Sequence, residues 1–171
     1  MSRTEVLICG FGGQGVIFAG ELIGRAGMIA GMEAAQSSAY GSEARGSSCS
    51  TGVVLSDELI GYPIVRKPDV LIALSQDGYE KFAPSVKGGG IIFYDSDMVE
   101  PASMEGIDQQ GIPATTKAAS IGRKGVANVV MLAEMVRITR ILSLEVLEKS
   151  IAEQSPDAFR SINLKAIRLT Y

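Results

Sequence analysis

The sequence predicts an α/β fold: three layers around a Rossmann-like, mostly parallel sheet. Three observations carry this. The apolar run "VLICGFGGQG", residues 6–15, ends in Gly10, Gly12 and Gly15, which reads as a buried strand, a glycine turn and the start of a helix. The run "DVLIALS" from Asp69 is apolar throughout, as in a central parallel strand, and leads through "QDGYEKFAPSVK" into "IIFYDS", a βαβ unit. No low-complexity linker interrupts the 171 residues, so residues 1–171 form one domain.

Each element follows from its local pattern. Val6 to Cys9 is the first strand, and Gly15 to about Gly31 the first helix, whose small residues permit close approach to a sheet and in which Glu21 and Arg25 are spaced as a helical ion pair. "AGMEAAQSSAYG" lacks the β-branched run of a standard second strand. "CSTGVVLS" and "ELIGYPIV" read as two strands joined near Asp57 and Glu58, a β-hairpin over residues 48–65 beside the main sheet, with Pro63 marking an edge. Ile112 to Gly122 is a strand or loop and then a short helix. Val126 to Arg140 is a longer helix that is apolar nearly all round, as expected if it is sandwiched within the fold or covered by a partner. Ser155 as N-cap and Pro156 at the first helical position open a closing helix.

Composition excludes several function classes. With a net charge of -3 and 6% aromatic residues, the chain shows neither a basic face to track phosphates nor a platform for stacking bases, so no nucleic-acid partner is expected. It has no histidine and only two cysteines, Cys9 and Cys49, so the expectation is no metal site, no four-cysteine cluster and no Ser-His-Asp or Cys-His nucleophile. The first residues show no secretory pattern, and Glu21 and Arg25 interrupt the most apolar stretch; a cytoplasmic, membrane-free protein is expected.

Two stretches are candidates for function. The spacing Gly10-x-Gly12-x-x-Gly15, with Gly13 and Gln14 inside it, is that of a dinucleotide fingerprint, in which turn amides approach a phosphate at the next helix's N-terminus. The fingerprint also needs a carboxylate about 20 residues on to hold a ribose, and Glu33 is the nearby candidate. The alternative is that these glycines serve only a tight turn and close packing. The second stretch, Tyr40-Gly41-x-Glu43-x-Arg45-Gly46, places an aromatic, an ion pair and two glycines in one loop, a composition suited to recognition. Arg45 could clamp a phosphate or carboxylate there, or simply pair with Glu43.

Together, Gly10-Phe11-Gly12-Gly13-Gln14-Gly15, Ala19-Gly20, Tyr40-Gly41-x-Glu43-x-Arg45-Gly46, "VVLSDELIGYPIV", "PDVLIAL" and Ala127-Asn128 resemble the gamma subunit of 2-oxoacid:ferredoxin oxidoreductases nearly end to end. "SSCSTGVVLSDELIGYPIV" and "PDVLIALSQDGYEKF" are more similar to the 2-oxoglutarate branch than to the pyruvate branch, while Ser47 and Lys124 depart from the family pattern. The resemblance implies a complex that oxidatively decarboxylates a 2-oxoacid to acyl-CoA and passes electrons to ferredoxin. It places thiamine diphosphate, iron–sulfur clusters and CoA on other subunits of alpha, beta and delta type. It leaves this chain an assembly and interface role, inactive alone, with the glycine turn facing a partner subunit or a CoA phosphate. The alternative is a free-standing dinucleotide- or CoA-binding protein. With 46% hydrophobic residues and two apolar helices, the isolated chain is expected to self-associate as a homodimer.

Overall fold

The computed structural model describes residues 3–40 and 48–170, with Tyr40 described by its backbone alone. The expected recognition loop, from the Tyr40 side chain through Gly41, Glu43, Arg45 and Gly46, therefore lies outside the described residues.

Six strands form one sheet, in the order β2-β3-β1-β4-β5-β6. Strand β1 (Arg3–Phe11) is central, and α1 (Val16–Ile29) follows it. The chain then forms β2 (Glu33–Tyr40), β3 (Ser48–Ser56), β4 (Val70–Ala73) and α2 (Gln76–Phe82). Next come β5 (Ile91–Asp95), β6 (Asp108–Ile112), α3 (Ala114–Ser120), α4 (Ala127–Thr139), α5 (Leu144–Gln154) and α6 (Asp157–Arg168). Strands β1, β4, β5 and β6 pair in parallel, and β3 is antiparallel to both β1 and β2, so one strand runs against the rest.

Alternation along the strands builds the three layers. Val6, Ile8, Val53, Leu55, Ile72 and Phe93 point into a core shared with α1, α4, α5 and α6. Leu7, Cys9, Leu71, Ala73 and Ile92 point the other way, under Tyr79 of α2 and Ala83. Helix α1 lies close on β3 because a Cβ on Gly20 or Gly27 would run into Thr51 or Leu55.

Several expectations are corrected. The expected hairpin over 48–65 keeps its first strand as β3, but residues 58–65 form no strand; β3 pairs instead with β2, from Glu33 opposite Ser56 to Tyr40 opposite Cys49. Gly61 and Pro63 disfavour a ladder in the first segment. In β2, tertiary pairing overrides weak local preference, helped by Gln36 Nε2 donating to Thr51 Oγ1 at 2.9 Å. Arg25 pairs not with Glu21 but with Glu153 of α5, through Nε and Nη2 at 2.9 and 2.8 Å. Ser155 caps the end of α5 rather than opening α6, and its Oγ accepts from Asn163 Nδ2 at 3.0 Å.

Helix α5 was not expected at all. Ser143 caps it, accepting from the Val146 amide, and Leu147 and Ile151 anchor it. Helix α4 is apolar all round because it is sandwiched: every residue from Asn128 to Val136 is buried. Even Glu134 is buried there, held by Lys117 and Arg137. One of the two apolar helices on which a homodimer was expected, α4, is therefore inside the fold. Among the described residues no helix is long and apolar enough to cross a membrane.

Candidate functional site at the glycine turn

The turn between β1 and α1 is held by two amide side chains. Gln14 Oε1 accepts from the Phe11 amide at 2.6 Å, and Gln14 Nε2 donates to the Leu74 carbonyl at 2.8 Å, tying the turn to the end of β4. Asn128, at the start of α4 and 4% exposed, donates from Nδ2 to the Gly15 carbonyl at 3.0 Å. Gly15 caps α1 in the left-handed region, at φ 69.

The glycines of the fingerprint divide by cause. A Cβ on Gly10 would collide with Gln14 Oε1, and one on Gly15 with Asn128 Nδ2, so these two are packing glycines. Gly13 is required by its φ of +95. Gly12 has neither constraint: its φ is not positive, and a Cβ there would meet nothing within 4 Å. A tight turn therefore accounts for three glycines and leaves Gly12 unexplained. Among the described residues, no acceptor meets the amides of Gly12, Gly13 or Gly15.

Two clefts open on either side of Gly13 and Asn128. One, of about 320 Å³, is lined by Gln14, Leu74, Met98, Thr115 and Lys124. The other, of about 200 Å³, is walled by Phe18, Arg123, Val126 and Phe159, with the Arg123 guanidinium 4.1 Å from the Phe159 ring centroid. They lie at the carboxyl ends of β1, β4 and β5, where the chain leaves β1 in one direction and β4 continues in the other, the position at which open α/β sheets bind ligands. Lys124 is exposed, and among the described residues its ammonium has no hydrogen bond or ion pair. Asp95, also at the cleft, is already committed. It caps α3, accepting from the Ala114 amide at 3.1 Å and from Thr115 Oγ1 at 2.6 Å. Larger grooves lie elsewhere; here open backbone donors and an unpaired ammonium lie together.

The ribose carboxylate is missing. Glu33 stands opposite Ser56, which stands opposite Arg3, so it sits at the far end of the sheet from Gly12, some eight residues or about 26 Å away along β1. The free-standing dinucleotide reading loses its acidic residue. Neither cysteine supplies a nucleophile. Burial pushes the Cys9 thiol up to about 12, against a smaller opposing pull from Lys81, and its Sγ lies 3.6 Å from the Ile72 carbonyl. Burial also raises the Cys49 thiol. Both are held as neutral thiols, unsuited to attack or to metal ligation. Among the described residues no group of three or more His, Cys, Asp or Glu could hold a metal ion.

A braced glycine turn at the carboxyl end of the central strand of a mixed sheet, with open donors beside it, defines a Rossmann-like domain. The pyruvate ferredoxin/flavodoxin oxidoreductase family model matches residues 5–171. A 2-oxoglutarate synthase subunit KorC from Methanocaldococcus jannaschii is 42% identical over 173 residues, covering 99% of this chain and 92% of that one. A ketoisovalerate oxidoreductase subunit VorA from Methanothermobacter thermautotrophicus is 43% identical over 138 residues, 80% of this chain but 28% of that one. In structure, the gamma subunit of a keto/oxoacid ferredoxin oxidoreductase from Geobacter sulfurreducens matches with a TM-score of 0.85 and 34% identity, over 98% of this chain and 95% of that one. The chain belongs to the pyruvate ferredoxin/flavodoxin oxidoreductase family, as a chain of the gamma-subunit kind.

Proposed function

We propose that this chain is the gamma-type subunit of a cytoplasmic 2-oxoglutarate:ferredoxin oxidoreductase, that it assembles with subunits of alpha, beta and delta type, and that its glycine turn meets the phosphates of CoA. The choice of 2-oxoglutarate rests on length: the 2-oxoglutarate synthase subunit matches over 99% of this chain and 92% of its own, whereas the ketoisovalerate protein, at nearly equal identity, matches through 28% of its own chain. Thiamine diphosphate and the iron–sulfur clusters are assigned to the other subunits, a reading supported by a sequence with two cysteines and no histidine, too few ligands for a four-cysteine cluster.

The donor set fits an anionic ligand. The amides of Gly12 and Gly13 are the groups that would meet a phosphate, with Lys124 supplying the charge. CoA accepts the acyl group in such a complex; this chain's part is to hold its anionic end. Arg45, in the loop from Tyr40 to Gly46, is assigned to contact with a partner subunit.

Co-expression with the other subunits tests the reading. The purified complex should reduce ferredoxin with 2-oxoglutarate and CoA, and should do so at a higher kcat/KM than with pyruvate or ketoisovalerate. The chain alone should show no turnover. A preference for another 2-oxoacid would overturn the substrate, and turnover by the pure chain would overturn the subunit role.

A further inference from the structure

The two faces of the sheet are covered unequally. On one, α1 spans β2 and β3; on the other, α2 reaches β1, β3 and β4. Beside α2 that face is crossed by a strap, residues 57–69. Arg3 Nη2 donates to the Tyr62 carbonyl at 3.1 Å, and Val65 rests on Gly52, where a Cβ would come within 2.9 Å of it. Between strap and α2 runs a groove of about 520 Å³. Its floor is made of small residues, Ser37, Ala39, Ser50 and Gly52, and its walls carry Arg66 and Lys81.

The charge in this groove is one-sided. Among the described residues no aspartate or glutamate lines it, although the chain as a whole carries -3. Arg66 lies 5.4 Å from the Tyr62 ring centroid and Lys81 5.0 Å from that of Phe82, so each cation is backed by an aromatic ring. Among the described residues neither is paired with a carboxylate. The strap beside the groove exposes apolar side chains that the fold does not use: Leu59 is 90% exposed, Tyr62 46% and Ile64 48%. Unpaired cations over a floor of small residues, next to exposed aliphatic and aromatic side chains, complement an extended polypeptide that bears carboxylates and apolar anchors.

We propose that this groove receives an acidic, extended segment of another subunit of the oxidoreductase, with carboxylates on Arg66 and Lys81 and apolar side chains against the strap. The proposal rests on the subunit reading above but is independent of which 2-oxoacid is oxidised and of what the glycine turn binds.

The test uses the co-expressed complex. The double charge reversal Arg66→Glu/Lys81→Glu should weaken association by at least about tenfold and flatten its dependence on salt, while the reversal Lys165→Glu on α6 should assemble like wild type. Zero-length carbodiimide coupling of the wild-type complex should join Lys81 to an aspartate or glutamate of a partner subunit, which mass spectrometry identifies without any variant. Normal assembly of the double reversal, or coupling of Lys81 to no partner carboxylate, would overturn the proposal. A wild-type chain that associates with none of the other subunits would overturn the choice of partner. A complex that assembles through the groove but prefers another 2-oxoacid would leave the groove standing and remove the 2-oxoglutarate assignment.

Discussion

The glycine turn and the strap both begin from the neighbourhood of β1, and they are built on opposite plans. In the turn, residues 10–15, a glutamine and an asparagine fix the backbone, and packing or dihedral angle dictates three of the four glycines. In the strap, residues 57–69, large apolar side chains face outward and the anchors are few: Arg3 at Tyr62, Val65 on Gly52, and Asp69 bound to the Glu5 amide and Lys87. A small anionic ligand gains most from donors fixed before it arrives. A protein partner needs apolar surface to cover, and the fold leaves that surface on the strap.

The contrast can be broken by experiment. The largest effect concerns Cys9, which lies in the buried part of β1 just before the turn. With its folded pKa near 12 against 9.0 unfolded, its thiolate fraction in the native chain falls about a thousandfold, and alkylation at pH 8 should be slowed accordingly until urea exposes it. The same shift makes a stability prediction. A thiol whose pKa rises on folding contributes stability that is complete below about pH 9 and is lost as pH climbs towards about 12. Cys9→Ala should flatten that part of the stability–pH curve.

Next in size is Gly15→Ala. It forces a Cβ into Asn128 and puts a side chain at positive φ, and should cost about 2–3 kcal/mol by urea unfolding. Asn128→Ala should cost about 1–3 kcal/mol, because the Gly15 carbonyl keeps only the Ala19 amide and the buried Val129 amide loses Asn128 Oδ1 as its acceptor. The smallest effects sharpen the comparison most. Gly12→Ala and Leu59→Ser should each change stability by no more than about 0.5 kcal/mol, yet the first should weaken CoA binding by the complex and the second its assembly. A Gly12→Ala variant as unstable as Gly15→Ala would make the whole turn structural.

The sequence revealed the turn better than the strap, for physical reasons. Glycine spacing after an apolar run is a local signal, and β1, α1, β4 and β5 all carry periodicity within their own residues. β2 does not: its "EAAQSSAY" is a strand because β3 lies beside it, a fact held by residues 15 positions away. The same pairing took β3 from its expected partner and left residues 58–65 as a strap. Helix α5 was legible in principle, since Ser143, Leu144, Leu147 and Ile151 give a cap and a helical stripe. Asn128 stood out in the sequence beside Ala127, but its bond to Gly15, 113 residues earlier, is visible only in the fold. The cations of the groove carried no sequence signal, because isolated charges gain meaning only from what surrounds them in space.

The burial of α4 has a consequence for synthesis. The sheet is complete once residue 112 has left the ribosome, but the helix that crosses it has no roof until α5 and α6 follow. Ser150 Oγ then donates to the Leu22 carbonyl at 2.7 Å, and Glu153 takes Arg25, fastening the late helices to the earliest one. Until those helices dock, the face of α4 that packs on α5 and α6 stays uncovered. A nascent chain stopped after Arg140 should bind a holdase chaperone and aggregate when released, whereas the finished chain should fold free of it.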